Sequence, residues 1–561
     1  MSVHQQSEDE IRDLTDRVFL LQRRLAEGKL HFAEHLADDF YRSFKAIQLS
    51  PSGLVNPATV DGRIRSAILA LKHFAYREEA KSACSLADIQ ENYFSFLSSQ
   101  FGWMLDEVLK NRCTPEQFAR AVSSKSDFVQ HIVDGMPEMV NDLKDFWSFA
   151  SEAGVFHLQD SAHLKASFSG DLFPAYSENP VSSAGLYLDT IVLPCPILRI
   201  APLLGVLPDR EIAALLIKHA VNALTYRSLA TANLSPPIAI ILPHSDDITR
   251  GENSDLLIRA TPEILTHAGY IFDRRFDDLV HYREFCSSLN SIESVLAELK
   301  RPERVLFDTT WQRGAEAQLR RAITEVQPTL PGFDPTNPGD QIYSATVGRM
   351  PQALATAMIS QQFGSTPLIS ARTSWEYFRW FTEYQADKDS QRAQDSKAEH
   401  ITHALISQHD YNLSWLGNVP IDTVLEIRKN GQAEELRQIL SFGIDELISA
   451  KPENFHRTSD QVVDNLNRAF DGHQKDILEA KKNKLKLYGF DVGSLVVTGT
   501  IAVTAATTAS PLLGAASGLL GILGLPNLRD IRSRFKEQKA IDTERKNSVT
   551  GLLFSHVKNP D

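Results

Sequence analysis

The stretch Leu186-Tyr187-Leu188-Asp189-Thr190-Ile191-Val192-Leu193, followed at once by Pro194 and again by Pro196, decides the fold class. It is apolar and β-branched, the composition of a strand, and prolines so close to its end cannot continue a ladder. Ile238-Ala239-Ile240-Ile241-Leu242 has the same character, and Val305-Leu306-Phe307 is a third short run. Helical patterns occupy 209–231 and 278–300 between them. Strands alternating with helices predict a small parallel or mixed sheet within roughly 185–310.

Outward from this centre the chain reads as helix. Ile11, Leu14, Val18, Leu21 and Leu25 recur at steps of three and four, and a second stripe follows at Phe32, Leu36, Phe40, Phe44 and Ile47. Further helices are expected near 60–80, 86–111, 115–124 and 126–152, with Thr114 as cap and Pro115 in the first turn of one of them. A polar stretch from about 158 to 184 reads as a linker or long loop. The aromatic cluster Trp375, Tyr377, Phe378, Trp380, Phe381 and Tyr384 belongs to a helix packed on more than one side, and core packing explains it better than a nucleobase platform. The expected fold is mainly α: a multidomain helical protein with a small central mixed α/β region. Its parts are an N-terminal helical domain 1–157, a small α/β domain 185–325, a helical segment 346–415 and a C-terminal helical module 416–561.

Composition narrows the function. Apolar residues are 43% and charged residues 23% of 561, which excludes a disordered or fibrous chain. The net charge of -13 disfavours general nucleic-acid binding while leaving room for a local basic patch. Cys84, Cys113, Cys195 and Cys286 show no zinc or redox spacing, so a reducing compartment is expected. Charged residues at Asp9, Glu10, Arg12 and Asp13 occupy the place of an export signal's apolar run, which predicts a cytoplasmic chain.

One segment is unusual. From Val492 to Leu528 no residue is charged; Gly, Ala, Ser and Thr dominate, and Pro511 and Pro526 divide the run. Helix over Val492–Ser510 would reach roughly 28 Å, near a hydrocarbon core of about 30 Å. Lysines precede it (Lys481, Lys482, Lys484, Lys486) and Arg529, Arg532 and Arg534 follow, as suits a hairpin held at an anionic cytoplasmic face. Leu495, Val496, Ile501, Val503, Leu512, Leu513, Leu519 and Leu520 are its candidate lipid-facing residues. A hairpin buried in a water-soluble core fits the same composition.

Chemical motifs are sparse. His31-Phe32-Ala33-Glu34-His35 matches H-x-x-E-H and resembles the corresponding string of the insulinase-like metalloproteases. Arg112 stands where the third ligand would fall, with Glu107 only nearby, and the helical wheel sets these residues opposite the apolar stripe. A solvated face is the better reading. His400, His403 and His409 read as surface histidines. Asp246 and Asp247 follow one predicted strand and Asp308 another; carboxylates gathered beyond strand ends could hold Mg²⁺ for hydrolysis, although Asp in such places also caps helices and forms turns.

Two functions are therefore expected. The first is a cytoplasmic helical interaction protein needing no cofactor, with a protein partner, self-association permitted, and the uncharged hairpin directing it to the inner face of the membrane as a defence or toxin-like effector. The alternative is a metal-dependent hydrolase or nuclease using Asp246, Asp247 and Asp308.

Overall fold

The structure, a computed structural model, describes residues 8–27, 34–170, 173–174, 180–249, 256–325, 334–386, 396–406, 419–450, 455 and 457–469. The uncharged segment 492–528, His31 and His409 lie outside them. Two compact units divide the chain: Met1–Ile89 with Asp145–Ser161, and Gln90–Lys144 with Ala162–Asp561.

In the first unit, helices Glu8–Ala26, Glu34–Lys45 and Gly62–Ala83 bury one stripe each, joining Val18, Leu21, Phe40, Ile64 and Ile68 in one core. Thr15 ties a loop to it, its Oγ1 accepting from Val55 N at 2.9 Å. Asp61 caps the third helix by accepting from Ile64 N at 3.0 Å. The predicted cap at Thr114, in the second unit, is present as a full reciprocal box with Gln117.

The second unit holds a four-stranded sheet: β1 Lys165–Ser169, β2 Thr190–Leu193, β3 Ala239–Ile241 and β4 Thr366–Ile369. Every pairing is parallel and the spatial order is β3-β2-β1-β4. Sixteen strand residues against twenty-one α-helices make the described chain mainly helical with a small α/β centre. β1, β2 and β3 are buried throughout, as a parallel sheet covered on both faces requires. On the outer side of β3 the carboxamide of Gln90 replaces a neighbour, accepting from Ile241 N at 2.8 Å and donating to Ile241 O at 2.9 Å.

Several expectations need correction. Of the run 186–193 only Thr190–Leu193 is strand, because Leu186 and Tyr187 form the turn that delivers it. Arg428 and Arg437 hold that turn through the carbonyls of Leu188 and Tyr187. Val305–Phe307 is not a strand. Gln318 Oε1 accepts from Phe307 N at 2.9 Å, and Leu306 O accepts from Tyr377 at 2.8 Å, so side chains satisfy that backbone. The sheet instead draws β1 from the stretch read as a linker and β4 from the segment read as helical. Both strands are rich in small polar residues or proline, and burial rather than intrinsic preference makes them strands.

The aromatic cluster is core: all six rings on helix Arg372–Ala386 are buried. His400 is buried as well, stacked on Phe455 at 3.8 Å with Nδ1 2.7 Å from Thr458 Oγ1, and His403 stacks on Trp375 at 4.0 Å. Neither is the surface histidine that the sequence suggests. No helix among the described residues is long and apolar enough to cross a membrane.

Candidate functional site

The order β3-β2-β1-β4 means that the chain leaves β1 toward β2 and β3 on one side and returns to its other side with β4. In open parallel sheets this reversal leaves a crevice beyond the carboxyl ends of the two strands concerned. Here those strands are β1 and β4, with Ser169 opposite Ile369.

Three residues meet at that place. Gly170, next after β1, adopts φ +87°, and a Cβ on it would lie 2.9 Å from Ile369 Cγ2 and 3.3 Å from Ser374 Cβ. Only glycine tolerates both the dihedral and the approach. Ser374, in the first turn of helix Arg372–Ala386, donates to Gly170 O at 3.1 Å. Arg349 Nη1 donates to Ser374 Oγ at 3.3 Å.

Arg349 reaches the crevice by simple geometry. Ser167 of β1 accepts from Ser365 Oγ at 2.9 Å and lies 3.4 Å from Ser360 Oγ. Residues 167 and 169 share a face, and helix Pro338–Phe363 packs along β1. Helix advances about 1.5 Å per residue against about 3.3 Å for strand, so Thr356 comes level with Ser169, and Arg349 lies past the end of β1. Arg349 is half-buried and has no carboxylate partner among the described residues. Ser169 Oγ is buried without a hydrogen-bond partner. Beyond it Phe173 packs on His219 and Tyr226. Asn222 Nδ2 donates to Pro174 O while Asn222 Oδ1 and His219 Nδ1 are left unpartnered. Burial, assisted by neighbouring Lys218, lowers the His219 pKa to about 4, so its ring is neutral near pH 7.

The acidic residues singled out by sequence are placed differently. Asp247 does follow β3, in the short helix Ser245–Thr249, but Arg199 Nε donates to its buried carboxylate at 3.2 Å. Arg199 comes from helix Pro196–Ile200 after β2, where Cys195 is also buried and accepts from Tyr93 Oη at 3.5 Å. Asp308 is not at the end of any sheet strand; it accepts from Thr310 N and Oγ1, both at 2.7 Å, and makes a turn. Asp246 lies on the Ser245–Thr249 helix. Among the described residues no group of three or more His, Cys, Asp or Glu is gathered as a metal ion needs. Gly170, Ser374 and Arg349 escaped the sequence reading because β1 and β4 did. The available signal was a glycine directly after Lys165–Ser169.

Comparison with protein-family models, with curated proteins and with solved structures finds no match in any of the three.

Proposed function

We propose that the α/β unit binds a small anionic molecule, a carboxylate or a phosphate monoester, in the crevice between the carboxyl ends of β1 and β4. The observation that carries this reading is the half-buried Arg349 guanidinium, without a carboxylate partner among the described residues, held by Ser374 at the switch point of a parallel sheet. Gly170 keeps the floor of the crevice at backbone height, and the first turn of helix Arg372–Ala386 adds its dipole. The test is a thermal-shift titration of the full chain with acetate, malate, glycerol 3-phosphate and AMP. At least one should raise the Tm by a few degrees at saturation, as ligand linkage requires, and Arg349→Ala should abolish the shift. A panel that stabilises neither protein, or both equally, overturns the reading.

A second reading concerns the far end of the chain. The uncharged run 492–528 between lysines and arginines supports a membrane-directed interaction protein. The hydrolase reading retains Asp246, Asp247 and Asp308 as its candidates, but the Arg199 partner of Asp247 and the turn made by Asp308 weigh against it.

A further inference from the structure

Helix Leu256–Phe272 ends in a tight reversal. Asp273 takes the left-handed conformation at φ +49°, and Arg274 N donates back to Gly269 O at 3.3 Å. This is a Schellman-type stop. A Cβ on Gly269 would lie 3.1 Å from Arg274 O, so the small residue allows the chain to fold over its own last turn. The reversal delivers Arg274 and Arg275 to one side of the helix. The following helices return Arg301 to the same place, where its backbone N donates to Ile271 O at 3.1 Å.

The three arginines line an open groove of about 630 Å³ together with Pro262, Leu265 and Tyr270. That size falls among small-molecule sites, commonly about 300–1,000 Å³. Two guanidiniums are already oriented. Arg301 lies over the Tyr270 ring at 4.7 Å, Tyr270 itself stacks on Tyr384 at 4.4 Å, and Arg274 lies over Phe285 at 4.4 Å. A guanidinium held over a ring by cation–π attraction spends no N–H donor on it and keeps those donors for another partner. All three arginines are exposed, and none forms an ion pair with a carboxylate among the described residues. Asp273 is the one acid in the lining. Cations at a helix carboxyl end offset its dipole, which accounts for one of them; three converging on a cavity, in a chain of net charge -13, exceed that need.

We propose that this groove binds a small organic ligand carrying two or more phosphate groups. The arginine forks take the phosphates, and Pro262 and Leu265 meet the organic body. Arg–phosphate pairing is bidentate and charge-assisted, whereas an isolated carboxylate would use only one of the three forks.

Calorimetric titration of the full chain with ATP, inorganic triphosphate and adenosine tests this. ATP and triphosphate should bind saturably at physiological salt and adenosine should not. Arg274→Gln and Arg301→Gln should each weaken ATP by about tenfold or more, the scale of one lost hydrogen bond to a charged group. Unchanged melting temperatures would show both variants folded, as exposed positions predict. Arg301→Lys, which keeps charge but loses the fork, should fall between. Arg349→Ala should leave ATP binding intact, separating this groove from the crevice at β1 and β4. Absence of saturable phosphate binding, equal binding by adenosine, wild-type affinity in the arginine variants, or loss of ATP binding in Arg349→Ala overturns the assignment.

Discussion

Asp189 is the single charged residue in the run that announces the sheet, and it is mostly buried at the entrance to β2. Its carboxylate accepts from Leu164 N at 2.9 Å and pairs with Arg428 at 3.1 Å and with Arg437. Burial alone would raise its pKa, but the Arg437 hydrogen bond and the two positive charges hold it below the ordinary carboxylate value. Asp189→Ala would leave the buried Arg428 guanidinium without its counter-charge and leave Arg437 only the exposed Glu434, 3.6 Å away. The expected cost is about 3–5 kcal/mol, the scale for breaking a buried pair, read as a lower urea midpoint in chemical unfolding. Asp189→Asn should cost less, since it can still accept from Leu164 N. None of this was legible beforehand, because a charge inside an apolar run does not reveal partners roughly 240 residues further on.

At the scale of elements, periodicity succeeded where one face is buried. The helices expected over 86–111, 115–124 and 126–152 occur as Leu86–Lys110, Pro115–Val122 and Ser126–Gln159. It failed at β1 and β4. Lys-Ala-Ser-Phe-Ser and Thr-Pro-Leu-Ile carry too few branched or aromatic residues for local preference to mark them, and the candidate crevice was lost with them. The expected element at 492–528 lies outside the described residues, and its membrane reading has a direct test. Full-length protein should float with vesicles of mixed neutral and anionic lipid, and a chain ending near residue 486 should not. Flotation that survives the truncation, or that is absent from both, removes the idea.

On the scale of the whole molecule, two buried imidazoles set the acid limit. Burial lowers His219 to about 4; burial and the nearby Arg304 lower His267 to about 3. His267 Nδ1 sits 2.9 Å from Tyr384 Oη while Nε2 has no partner, and the ring stacks on Trp380 at 5.4 Å. Both rings are neutral in the fold, whereas an unfolded histidine takes its proton near pH 6.5. Their contribution is therefore complete above pH 6.5 and is lost as pH falls from 6.5 toward 4 and 3. The loss is on the order of 3 kcal/mol for His219 and somewhat more for His267. Melting temperature measured from pH 7 to 4 should decline across that window, and His267→Phe, which keeps the ring in its aromatic nest, should flatten the decline. An unaltered slope would mean that His267 takes no proton on unfolding.

Gln90 and Pro367 together have a consequence for recognition. One caps the last backbone groups of β3 as a substitute strand, and the other deprives β4, at the opposite margin, of an amide donor. Each margin of the four-stranded ladder is thus interrupted at one residue. Among the described residues this disfavours growth of the sheet at either margin, and it turns recognition of a peptide or protein toward helices and side chains.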